Sequence, residues 1–376
     1  MENDAKLDRL PQDCAAIHCM RTVADLGEKR IISDLIKPLF LNSVAENVEV
    51  PIGDDCAILR IPNEHSVVVT IDKVPEHLIP FRLGLMTMRQ LGRYLLVSSL
   101  SDLAAMAAQP LAALLSVCLP HDFSVNDLRE LLQGVNDAAV SFDCPVVGGD
   151  TKGATSWSLV STALGTVRRG QSLKRCTARA GDVVCVTGTA GRVGTALAYF
   201  LGRHAKNGVL SSEDERFLID GFCAAMPRID AAQRLRAAGV HACQDISDGI
   251  GQTAAEIANA SGIRLELDTT RIHDRVRRCA ATIADVSDNR AVDILTGPGA
   301  DFELMFTLPP ALMDSVATTL SEVGVDIFPV GHAVDGDGAW VMTADGLENL
   351  QGAGFEHLTG RPDDHVIMAR QKQSPK

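Results

Sequence analysis

The sequence predicts a two-domain protein of alternating strands and helices, and three observations carry that reading. At 376 residues the chain is longer than one hydrophobic core comfortably serves. Short β-branched and apolar runs alternate with segments whose apolar residues recur every three or four positions. A basic, turn-rich stretch, Arg168-Arg-Gly-Gln-Ser-Leu-Lys-Arg175, separates the two halves and marks the expected boundary.

In chain order, residues 1–26 mix charge with short apolar pieces and read as an extension. Arg30 to Leu41 places Ile31, Ile32, Leu35, Ile36, Leu39 and Phe40 on one helical face. Val48 to Pro51, Ala57 to Ile61 and the β-branched run Ser66 to Ile71 read as strands, the last ending at Asp72. Gly84 to Ala108 has a helical pattern that Pro110 terminates, and Leu111 to Leu119 is a buried strand. Ser124 is placed to cap a helix running to Phe142. Cys144 to Val147 is a short strand entering a Gly148-Gly149 pair, and Trp157 to Gly165 is another strand. In the second half, strands are expected over Asp182–Thr187, Ile263–Leu267, Ala300–Phe306 and Val325–Val330, the third by alternation. Helices are expected over Glu213–Ala225, Ile229–Ala238 and Ile250–Ser261.

Composition excludes several classes of function. The net charge of −13 opposes a nucleic-acid surface, and 4% aromatic residues leave few platforms for base stacking. Ten cysteines show no Cys-x-x-Cys pair and no zinc-finger spacing to histidine, so they read as small core residues in a reducing compartment. The longest apolar stretch, Leu103 to Leu119, is interrupted by Gln109 and Pro110 and is too short to span a bilayer. No secretory signal opens the sequence, so a cytoplasmic protein with neither membrane nor nucleic-acid partner is expected.

The chemistry is concentrated in acidic segments. Pro51-Ile-Gly-Asp-Asp-Cys-Ala57 holds two adjacent carboxylates, Asp54 and Asp55. Thr70-Ile-Asp72, Ser99-Leu-Ser-Asp102, Gly148-Gly-Asp-Thr151 and Gln244-Asp-Ile-Ser-Asp-Gly249 follow, each read as the end of an apolar segment. Each alone is as easily a surface turn. Together they offer hard oxygen donors without histidine or cysteine, which suits magnesium shared with phosphate oxygens. Gly188-Thr-Ala-Gly-Arg-Val-Gly194 has neither the dinucleotide-binding glycine spacing nor a Walker lysine, and reads as a strand-to-helix turn.

Taken in this order, Gly53-Asp-Asp-Cys-Ala57, Ser99 to Met106, Val147-Gly-Gly-Asp-Thr151, Arg179-Ala-Gly-Asp182 with Val186-Thr-Gly-Thr189, Ile246-Ser-Asp-Gly249 and Asp301-Phe-Glu-Leu304 resemble the thiamine-monophosphate kinase family. That family is related to aminoimidazole ribonucleotide synthetase and selenophosphate synthetase. The resemblance implies an α/β (α+β) protein of synthetase-like architecture: an N-terminal sheet domain that binds magnesium and ATP and pairs in a homodimer, then a C-terminal α/β domain. The corresponding limits are 27–167 and 168–365, with a polar tail over 366–376. It implies metal ligation by Asp54, Asp55, Asp72, Asp102, Asp150 and Asp248, with Asp150 and Asp248 as catalytic residues. Gly148, Gly149, Asp150, Thr151 and Ser247 would meet the nucleotide. The implied reaction moves the γ-phosphoryl of ATP onto the phosphate of thiamine monophosphate. The chain departs from the family pattern at Lys73, His77, Lys152, Ala300 and Phe302, where acceptor contacts are expected. The same ATP chemistry on a different small acceptor, and a non-catalytic nucleotide-binding dimer, are therefore the alternatives.

Overall fold

The computed structural model describes residues 48–50, 54–61, 64–202, 204–350 and 352–355, all within one compact unit, Ala45–Phe355. The expected extension over 1–26, the helix over Arg30–Leu41, the polar tail and residues 51–53 of the acidic motif lie outside the described residues.

The first half forms a six-stranded sheet ordered β1-β2-β3-β6-β4-β5. Its strands are β1 (Val48–Val50), β2 (Ala57–Arg60), β3 (His65–Lys73), β4 (Gln109–Leu119), β5 (Val146–Gly153) and β6 (Ser158–Arg168). All neighbours are antiparallel except β4 and β5. Strand alternation sends Ser66, Val68 and Thr70 of β3 inwards, as it does Leu159, Ser161, Ala163 and Val167 of β6.

Those inward faces are covered by helices. A short α1 (Ile79–Arg82) precedes α2 (Met88–Ala105), and α3 (Val125–Ser141) follows β4. Helix α2 starts at a capping box in which Thr87 and Gln90 satisfy each other's backbone N–H, and Ser124 caps α3 as expected. The two helices pack so closely that a Cβ on Gly92 would lie 1.9 Å from the carbonyl oxygen of Leu131, and one on Gly134 1.7 Å from that of Arg89. Helix α2 also packs against elements of the second half, which makes it the shared wall between the two sheets.

The opposite face of the first sheet is open in the single chain. Ile71 and Leu114 flank Thr162 in register and are 67% and 38% exposed, and Leu111 is 53% exposed. Within the single chain the Leu111–Leu119 strand, expected to be buried, is covered mainly at alternate residues of β4.

The second half is a seven-stranded sheet ordered β13-β12-β9-β11-β7-β10-β8. It comprises β7 (Val183–Thr187), β8 (Cys243–Asp245), β9 (Arg264–Leu267), β10 (Leu304–Leu308), β11 (Ile327–Val334), β12 (Gly338–Thr343) and β13 (Gly346–Asn349). Its helices are α4 (Arg192–Leu201), α5 (Ser212–Cys223), α6 (Ile229–Ala238), α7 (Ile250–Ser261), α8 (Asp274–Ala284), α9 (Ala291–Thr296) and α10 (Met313–Ser321). Strand β10 is buried along its whole length, between β7 and β8. The alternation read over Ala300–Phe306 was therefore misplaced: residues 300–303 precede the strand and serve as a packed, hydrogen-bonded segment. One further correction bears on the site. Gly148–Thr151 is part of edge strand β5 rather than a loop, whereas Ser99–Asp102 lies inside α2, within the helical span expected over Gly84–Ala108.

Candidate functional site

The acidic segments converge where α2 meets both sheets. Asp54 and Asp55 lie three and two residues before β2 begins at Ala57, and Asp72 lies near the end of β3. Tyr94, Ser98, Ser101 and Asp102 share one face of α2 because their spacing follows the helical repeat. From the second half come Asp245, the last residue of β8, and Asp248 in the turn before α7. That turn requires glycine: Gly249 has φ +102, and a Cβ there would lie 2.1 Å from the Gly297 carbonyl oxygen.

One oxygen each from Asp55, Asp102 and Asp245 lies within 4.8 Å of the others. One oxygen of each carboxylate is held by a donor. Thr70 Oγ1 donates to Asp102 Oδ2 at 2.5 Å, and Ser101 Oγ to Asp245 Oδ2 at 2.6 Å. The Arg175 guanidinium donates to Asp55 Oδ1, lies 3.4 Å from Asp54 Oδ1, and reaches Glu256 Oε2 at 3.1 Å. Glu256 projects from α7 and also accepts from Gln244 (2.6 Å) and Gln252 (2.8 Å). Asp55 Oδ2 and Asp245 Oδ1 are buried without a hydrogen-bond partner.

Electrostatics show how far this cluster is from self-sufficient. Two ionised carboxylates at this separation repel by about 3–4 kcal/mol at an effective dielectric constant of about 20. Burial pushes Asp245 up to about 7, with the Ser101 hydrogen bond opposing it and Asp72 adding to it. Burial, then Asp248, raises Asp72 to about 6. Asp55 and Asp102 are raised well above the ordinary carboxylate range, again chiefly by loss of water, with neighbouring carboxylates contributing. Arg175 opposes the rise at Asp55 and at Asp54 without cancelling either. Such a group of acids binds protons or a cation.

Of the residues expected at the site, Asp54, Asp55, Asp72, Asp102 and Asp248 meet in this cluster, and Ser247 stands in the same turn as Asp248. Asp150 does not. Asp72, Ser161, Leu115 and Gly149 are successive partners across the sheet, so β5 lies three strand spacings, roughly 14 Å, from β3. Asp150 is exposed there and pairs with Lys152 at 3.2 Å. Gly148, Gly149 and Thr151 are equally exposed. Gly149 is needed for packing: with φ +154, a Cβ would sit 1.9 Å from the Leu115 carbonyl oxygen.

Further residues join the site beyond those expected. Asp245 lies three residues before Asp248 in the same acidic segment, at the end of a strand too short to show a pattern. Arg175 belonged to the stretch read only as a boundary. The turn before α4 proves to be filled by the protein itself: Asp301 accepts from the backbone N–H groups of Gly191 (2.9 Å) and Val193 (2.8 Å). Next to it, Glu303 accepts two bonds from Arg228, both 2.6 Å, and one from Thr187 Oγ1. Phe302, at φ +52, packs its ring 5.3 Å from that of Tyr94.

The chain is similar to known proteins over most of its length. The model of the AIR synthase related protein N-terminal domain matches residues 53–167, and that of the C-terminal domain matches 179–342. The thiamine-monophosphate kinase of Pyrococcus abyssi is 30% identical over 344 residues, 91% of this chain and 99% of that protein. Among solved structures, thiamine-monophosphate kinase from Stenotrophomonas maltophilia K279a superposes with TM-score 0.65 at 29% identity, covering 82% of this chain and 94% of the other. AaThiL complexed with AMPPCP and TMP gives TM-score 0.72 at 24% identity, with 90% and 99% covered, and so shares the fold. The chain belongs to the thiamine-monophosphate kinase family of AIR synthase related proteins.

Proposed function

We propose that this protein is a magnesium-dependent kinase that transfers the γ-phosphoryl group of ATP to the phosphate of thiamine monophosphate, giving ADP and thiamine diphosphate. The observation that carries the reading is the convergence of Asp55, Asp102 and Asp245, with two of their buried oxygens lacking any partner. The donor set fits magnesium. It is all oxygen, and the nearby thiols of Cys56 and Cys243 are raised well above their usual range by burial and by the carboxylates, so they stay protonated and poor ligands.

Asp55, Asp102 and Asp245 would hold the cation, with Asp54, Asp72 and Asp248 beside them available to its phosphate-bound side. Bound magnesium supplies the positive charge that lets two phosphate anions approach. The protein's own task is positioning: Arg175 fixes the Asp54–Asp55 pair, and α2 carries Asp102 and Ser101 on a rigid face. The acceptor phosphate is ionised near neutral pH, so no residue is required as a general base. We assign Asp248 to the reacting end of the site, with Ser247 beside it.

Gly148, Gly149, Asp150 and Thr151 enter the proposal through a homodimer. Their strand is exposed at the sheet edge beside the open apolar face, and a second copy covering that face would bring them to a nucleotide cleft. We divide the chain into domains near Arg168, after the last strand of the first sheet and before Val183 opens the second. No helix of the described residues is long and apolar enough to cross a membrane, and we place the reaction in the cytoplasm.

The test is turnover with ATP and thiamine monophosphate, the product identified by mass. Thiamine diphosphate is expected with magnesium and none with a chelator. ATP consumption that thiamine monophosphate does not stimulate would remove the acceptor assignment.

A further inference from the structure

The three carboxylates share a pattern that the function above does not require. Each has one oxygen engaged by a donor from a neighbouring element: Asp102 Oδ2 by Thr70, Asp245 Oδ2 by Ser101, and Asp55 Oδ1 by Arg175. For Asp55 and Asp245, the other oxygen is the buried one with no partner. Thr70 and Ser101 are themselves buried, at 7% and 0% exposure, so their hydroxyls have no competing water. A carboxylate with neither oxygen tied would rotate about its last bond and lose a fixed direction for its lone pairs.

From this geometry we infer that Thr70 and Ser101 are positioning residues that, by holding one oxygen of Asp102 and of Asp245, aim the second at a common cation. The inference rests on the magnesium reading above. Ser101 has a second consequence, because its hydrogen bond crosses from α2 of the first half to β8 of the second. The Asp245 ligand is thus oriented by the opposite sheet's helix, and the site depends on the two halves being seated against each other. Thr70 acts within the first half, from β3 to α2.

Outer hydrogen bonds of this kind tune metal affinity by roughly 10–100-fold. The experiment is the Kd for Mn2+, a spectroscopically visible substitute, measured on the full chain by electron paramagnetic resonance without nucleotide. Thr70→Val, which keeps the shape and deletes the hydroxyl, and Ser101→Ala should each weaken binding about tenfold, whereas Thr70→Ser should stay within about twofold of the unmodified protein. Should Ser101→Ala fail to fold, the two Thr70 variants decide the matter. Unchanged Mn2+ affinity in Thr70→Val overturns the inference, as does equal weakening in Thr70→Ser, which would assign the effect to the methyl group. An unmodified protein that binds no Mn2+ removes the metal site itself, and the positioning role with it.

Discussion

Replacing Arg175 by methionine isolates the main positive charge in the carboxylate cluster. The guanidinium is 15% exposed and touches Asp54, Asp55 and Glu256, whose side chains are 7%, 5% and 17% exposed. Removing one partner from so buried a network leaves the other charges uncompensated, at a cost of about 3–5 kcal/mol. For domains of this size that corresponds to a fall in Tm on the order of 10 °C. The assay is thermal unfolding followed by circular dichroism, first with a chelator and then with saturating magnesium. Magnesium should recover part of the loss, because the bound cation returns positive charge to the same carboxylates. A Tm equal to that of the unmodified protein in chelator would refute the reasoning, since it would mean that the acids are already neutral or solvated without Arg175.

The metal-free protein should lose stability as pH rises from about 4 to about 7. Asp72 and Asp245 have folded values of about 6 and about 7, above the ordinary 3.8, so within that window the folded state binds more protons than the unfolded one. Urea midpoints in chelator should therefore fall between pH 5 and pH 7.5, and a rise across that interval would contradict the assignment of burial as the cause. Glu303→Gln breaks the buried pair with Arg228 and should destabilise the fold by about 3–5 kcal/mol, read from denaturant midpoints. Ile71→Glu, on the open sheet face, should convert the proposed dimer to monomer in light scattering while leaving the monomer folded. A monomeric mass for the unmodified protein at micromolar concentration would remove the dimer.

Much of this was legible in the residues, for reasons that differ by element. The strand over Ser66–Ile71 and the helix over Ile250–Ser261 announced themselves because each has one buried face whose period is visible locally. The acidic residues were legible because adjacent carboxylates are costly without a cation. What the sequence concealed depends on three-dimensional partners. Strand β8 is three residues long and carries no pattern, although its last residue, Asp245, is the most deeply buried acid of the cluster. Strand β10 is covered throughout, so its true burial has no alternation to read. Arg175 looked like linker charge because the partners that give it a role are 81 to 121 residues away. Asp150 shows the opposite failure: its motif was easily read, but the sheet carries it to an edge, away from the other acids in the single chain.

Crystals of the protein grown with Mn2+ and a non-hydrolysable ATP analogue test directly where the cation sits. An anomalous difference map should place manganese between Asp55, Asp102 and Asp245, with the analogue's phosphates on the side of Asp72 and Asp248. Manganese bound elsewhere, with these three carboxylates still joined only to Thr70, Ser101 and Arg175, would contradict the account.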